Sequence, residues 1–82
     1  MPRFYFDVSV GDDFTRDDTG FEYESLNIAE YEATRAAAEI AHNNLPRRRT
    51  SEICVRVRDE EGFLLFTVDV TMAVRRTVRA LP

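Results

Sequence analysis

In "VRVRDEEGFLLFTV", residues 55 to 68, valine alternates with arginine, an acidic stretch ends in glycine, and an apolar run follows. Side chains of a strand alternate between its two faces, so this pattern specifies two antiparallel strands joined by a tight turn. With Asp59, Glu60, Glu61 and Gly62 as the loop, the sequence pairs Arg58 with Phe63, Val57 with Leu64, Val55 with Phe66 and Ile53 with Val68. The last three pairs are apolar and mark the inward face. A slip of one residue would turn one strand inside out, so the alternation also specifies which face meets the core. Gly62 supplies the positive φ that the last position of such a turn requires.

The same periodicity recurs at the start of the chain. Phe4, Phe6, Val8 and Val10 alternate with Tyr5, Asp7 and Ser9, which predicts a half-buried strand. "GDDFTRDDTG", residues 11 to 20, has glycine at both ends and four aspartates within, and reads as a loop. "FEYE" returns as a short strand at residues 20 to 24. Between the two strand pairs lies a helix over residues 28 to 44. Asn27 is expected as its N-cap with Glu30 completing a capping box, and Leu26 and Tyr31 stand at staple positions. Ala29, Ala33, Ala36, Ala37, Ile40 and Ala41 share one face. "HNNLP" ends the helix, since Pro46 cannot continue the hydrogen-bond ladder.

The fold expected is α+β with order ββαββ, one helix on one face of an antiparallel sheet of about four strands, in a single domain over residues 1–82. Phe6, Val55 and Phe66 should share a core with Ala33 and Ile40. After Val70 the pattern divides: "TMAVRRTVRALP" either extends the strand through Met72 and Val74 or forms a short helix on Val74, Val78 and Leu81.

"MPRFYFDV", "DDTGFE", the helix register at Ala29, Glu32 and Ala33, and "VRDEEG" together resemble a family of short bacterial proteins grouped as a domain of unknown function, with members opening Met-Pro-Arg-Phe/Tyr-Tyr/Phe-Phe-Asp. The resemblance covers most of residues 1 to 70. "FEYESLN" departs from the leucine and proline expected there. The resemblance implies the fold and no activity, so it assigns no site residue.

Reactive groups are sparse. His42 is the single histidine and Cys54 the single cysteine among 82 residues. A nucleophile needs a base and an orienting group beside it; His42 instead falls at the helix end, where a cation suits the dipole. Cys54 falls on a strand next to Arg56, whose charge favours the thiolate, but a half-covered structural cysteine is the commoner case and the expected one. Asp13, Thr15, Asp17, Thr19 and Glu24 have the spacing of calcium-loop ligands, yet Asp18 stands where the sharp turn needs glycine and no helix pattern precedes them. The chain is therefore read as no enzyme, with no metal and no cofactor.

Charge gives the remaining signals. Residues 1–41 carry three arginines against ten acids, and residues 42–82 carry eight against five, so the net −4 conceals halves of −7 and +3. Arg47, Arg48, Arg49, Arg75, Arg76 and Arg79 are the candidate contacts for an anion or nucleic acid, with Tyr5 and Phe63 as stacking surfaces. The acidic pI of 4.9 argues against that use. The outward face of the last hairpin has an apolar share, and Tyr5, Cys54, Arg56, Phe63 and Leu65 form the candidate interface. The expected function is a non-catalytic interaction module, homodimeric or bound to a protein partner, with a nucleic-acid accessory protein or, by fold analogy alone, an antitoxin-like domain as alternatives. No apolar run reaches the roughly 18 residues of a membrane span, the opening reads without an export signal, and one cysteine agrees with a reducing, cytoplasmic setting.

Overall fold

A computed structural model describes residues 1–47 and 52–78. The strands are β1 (Arg3–Val10), β2 (Asp13–Thr15), β3 (Phe21–Glu22), β4 (Glu52–Arg58) and β5 (Leu64–Thr71), with helix α1 (Leu26–Asn44) between β3 and β4. They form one antiparallel sheet in the order β2-β1-β4-β5, and β3 joins the edge of β1 that also carries β2. The fold is α+β, one helix on an antiparallel sheet. Among the described residues no helix is long and apolar enough to cross a membrane.

Four alanines set the distance between the layers. Ala29, Ala33, Ala37 and Ala41 recur every four residues on α1 and are buried, so the helix backbone lies close to the strands. Beneath them the fully buried Ile53, Val55 and Val57 of β4 form the centre of the sheet's inner face. Phe4, Phe6, Val55, Val57 and the first three of those alanines make the main core, with Phe66 packed at its margin. Ile40 falls in an adjoining cluster around Ala41, Leu45 and Ile53, and Val70 touches both.

The structure corrects several readings. The helix starts earlier than residue 28: Ser25, not Asn27, is the N-cap, its Oγ accepting from the Ile28 N–H at 3.2 Å. Leu26 and Tyr31 are exposed and form no staple. The stretch read as one loop contains β2, because Gly11, at φ 58°, turns the chain in two residues and pairs Val10 with Asp13.

The final hairpin pairs Val57 with Phe66, Val55 with Val68 and Ile53 with Val70, two residues away from the expected register. Two single-residue changes combine. The Asp59 N–H donates to the Phe63 carbonyl, and the Asp59 carboxylate accepts from the Glu61 and Phe63 N–H groups, which lengthens the turn by one. A bulge between Val57 and Arg58 then makes Leu64 the partner of Arg58 and leaves Leu65 extra. Either change alone would invert a face; together they restore it. Leu64, expected inside, stands 60% exposed.

Beyond Thr71 the described chain, to Val78, is neither strand nor helix, and Val74 and Val78 are exposed. Neither form expected for this segment is present through Val78; Leu81 lies outside the described residues.

Candidate functional site

Among the described residues, the densest set of polar interactions closes the segment 16–20 onto β1 and β4. On its outer edge β1 pairs with β3 at Arg3 and Phe4 and with β2 from Val8 onward, which leaves the Phe6 N–H between two short strands without a ladder partner. Asp17 takes that place. Its Oδ2 accepts from Phe6 at 3.0 Å, while its Oδ1 accepts from the Thr19 N–H at 3.0 Å and the Gly20 N–H at 2.9 Å. One carboxylate thus acts as a missing strand residue and as the acceptor of its own turn.

The Asp17 N–H donates in turn to Oδ1 of Asp7 at 2.9 Å. Asp7 lies on the outer face of β1 and is buried, with 7% exposure. Arg58 reaches it from β4, Nε to Oδ2 at 2.8 Å, and also donates to the Asp17 carbonyl at 2.7 Å. The guanidinium carbon stands 4.6 Å from the centre of the Tyr5 ring. Burial alone would raise the Asp7 pKa; the hydrogen bonds from Arg58 and Asp17 and the Arg58 charge outweigh it and hold it below the ordinary value. Asp17 follows the same logic, burial being opposed by the N–H groups of Gly20, Phe6 and Thr19, and its pKa is also lowered. Arg58 is shifted up by its bond to Asp7.

Every oxygen of the two carboxylates meets an internal donor. The arrangement therefore stabilises a loop and offers no free base or acid for chemistry. It also draws the calcium-like frame apart, with Asp13 and Thr15 in β2 and Asp17 turned onto backbone N–H groups. The sequence pattern marks Asp17 only as a member of the calcium-like frame and Asp7 only as an outward strand residue. The available signal was Asp17 followed by Gly20 at the end of a turn, a side chain that closes on backbone N–H groups two and three residues ahead.

Gly20 completes the latch. It is buried at φ +76°, and a Cβ there would stand 2.9 Å from Cγ of Arg3 and 3.0 Å from Cε1 of Tyr5. Gly20→Ala is expected to cost about 1 to 3 kcal/mol through backbone strain and displaced packing. Gly62→Ala is the control, since at φ +91° it meets nothing within 4 Å. Urea melts of both variants measure the difference, and a cost at Gly20 no greater than at Gly62 would remove the packing contribution.

The expected interface residues divide. Tyr5 is half-buried beneath Arg58, Cys54 is half-buried, Arg56 is exposed, and Phe63 and Leu65 are 65% and 38% exposed. The outer face is more polar than the sequence suggests, because Cys54 and Arg56 pair with Asp69 and Thr67 and its apolar surface gathers at the hairpin end. Burial and then Asp69 raise the Cys54 pKa beyond the lowering effect of Arg56, so the protonated thiol is favoured. Arg47, Arg75 and Arg76 are exposed; Arg48, Arg49 and Arg79 lie outside the described residues. His42 is exposed in the last turn of α1. On the helix side of β1 a shallow groove of about 510 Å³ is floored by Phe6, Val8, Phe21 and Ala36 and rimmed by residues 15–19.

Residues 3–71 match DUF6894, a domain of unknown function, and the chain belongs to that family. No curated protein and no solved structure matches it. Three of the four stretches that carry the resemblance, around Asp7, Asp17 to Gly20 and Arg58, are brought together by the latch.

Proposed function

We propose that this member of DUF6894 works as a non-catalytic interaction module that associates with a second copy of itself. The observation that carries the reading is the run Phe63, Leu64 and Leu65, exposed by 65%, 60% and 38%, beside a sheet edge that, among the described residues, has no strand on its outer side. Three consecutive apolar residues in water are a cost that a partner removes. The polar groups dense enough for chemistry support it too, being consumed in closing a loop.

Sedimentation equilibrium of the wild type and of Leu65→Glu tests the reading. The expected result is a dimer that the substitution converts to a folded monomer. A wild type that stays monomeric at all accessible concentrations, equally stable in both forms, overturns it. Anisotropy with short RNA and DNA is the companion measurement. Tight binding that collapses with salt and falls when Arg47, Arg75 and Arg76 are neutralised would put a nucleic-acid partner in its place.

A further inference from the structure

We infer that the second copy adds at the free edge of β5, antiparallel to its counterpart about a two-fold axis at Val68, and that each C-terminal segment lies along the other copy's acidic hairpin loop. This rests on the self-association reading and names its surface.

The two edges of the sheet are unlike. One ends in β2 and β3, strands of three and two residues, with Asp17 filling the gap between them. The other is β5, eight residues with no proline and Asp69 as its single charge, and its bulge at Leu65 leaves Phe66 to Thr71 regular. Unpaired N–H and C=O groups along such a strand are a template for another strand. The inward residues Phe66, Val68 and Val70 are only half-buried, so the core too is open on this side.

Face parity restricts the register. Inward residues meet inward residues only when the axis falls at a residue and not between two. An axis at Asp69 would oppose two like charges. An axis at Val68 sets Val68 against itself, Phe66 against Val70 and Thr67 against Asp69, which continues the apolar inner face and keeps the acids apart.

Charge makes the case specific. Arg75 follows Val68 by seven residues and Glu61 precedes it by seven; Arg76 and Glu60 stand eight away on either side. Residues 60, 61, 75 and 76 lie outside the paired strand, so the register sets only the direction: the chain leaving Thr71 of one copy runs toward the hairpin end of the other, which brings the exposed Arg75 and Arg76 to the acidic loop holding the exposed Glu60 and Glu61, twice by symmetry. It gives a role to a segment in which Met72 still packs against the cluster of Ala41, Leu45 and Ile53 while Val74, Arg75, Arg76 and Val78 are exposed.

The test is charge exchange read by sedimentation equilibrium. Arg75→Glu with Arg76→Glu in one variant, and Glu60→Arg with Glu61→Arg in another, should each weaken the homodimer on the order of tenfold or more. Mixed together the two should form a heterodimer of wild-type affinity, because both contacts then join opposite charges. Circular dichroism confirms that each variant is folded. Val68→Cys in a Cys54→Ser background should oxidise to a covalent dimer, since directly opposed strand residues hold their Cα atoms about 4.5 to 5.5 Å apart. A dimer that neither reversal weakens and that does not cross-link at position 68 overturns the edge register and leaves self-association standing. A monomeric wild type overturns both, and a monomer that the reversals merely destabilise assigns the C-terminal segment to its own chain.

Discussion

Asp17→Ala should remove about 2 to 4 kcal/mol of stability, against a total of roughly 5 to 15 kcal/mol for a domain of ordinary stability. The substitution strands the part-buried N–H groups of Phe6 and Gly20. Each costs about 1 to 2 kcal/mol when left without an acceptor. The Thr19 N–H is exposed and loses less, because water can replace the carboxylate. Asp18→Ala next to it should cost almost nothing, since Asp18 is exposed and holds only a 3.5 Å pair with Arg16. The effect has a pH signature. Asp7 and Asp17 both have folded-state pKa values below those of the unfolded chain. Their contribution is therefore fully present above the unfolded carboxylate value, about 3.9, and is lost as pH falls through the folded values. Urea melts between neutral pH and strong acid should show the wild type losing stability steeply below about pH 4, and Asp17→Asn losing less over the same interval. Parallel curves for the two proteins would show that Asp17 is not held by these donors.

The main features of the fold are legible in the alternation of residues 4 to 10 and 53 to 70, because the inward face of a strand is specified by parity and parity survives errors of detail. The hairpin shows this most clearly. Its pairs were displaced by two residues, yet Val57, Val55 and Ile53 still face Phe66, Val68 and Val70 across one apolar surface. The shift begins at Asp59, whose carboxylate accepts from the Glu61 and Phe63 N–H groups within the turn and so lengthens it. At the helix start, Ser25 and Asn27 are both good caps, and the choice depends on where the chain leaves β3, which local propensity does not encode. The latch was hidden for a related reason. Asp7 and Arg58 are 51 residues apart and read singly as outward strand charges; only the pairing of β1 with β4 brings them within 2.8 Å. The candidate interface was partly legible, since exposure of Phe63 and Leu65 follows from their place at the turn, while the covering of Tyr5 by Arg58 follows from a contact between distant strands.

Phe6→Ala should be among the most damaging single changes in the described chain, at about 3 to 5 kcal/mol. Phe6 lies on the inner face of β1 at 9% exposure, in one core with Val55, Val57, Ala33 and Ala37. Its ring centroid is 5.4 Å from that of Phe21 and 6.1 Å from that of Tyr23, so truncation also removes two aromatic contacts that hold β3 and its following residue to the sheet. The neighbours are poorly placed to fill the space. The alanines opposite have no side chain to extend, and Val55 and Val57 are β-branched and fully buried. Phe66→Ala removes the same atoms from the margin of that core, where the side chain is only partly buried, so it should cost distinctly less. Urea denaturation of the two variants, at a protein concentration where each is monomeric, gives the comparison directly. A Phe66 cost equal to that of Phe6 would place the centre of the core on β5 and contradict the half-open edge from which the dimer is argued. A Phe6 cost well below 3 kcal/mol would mean that α1 can settle onto β1, and the alanine stripe would then be spacing the layers less rigidly than its burial implies.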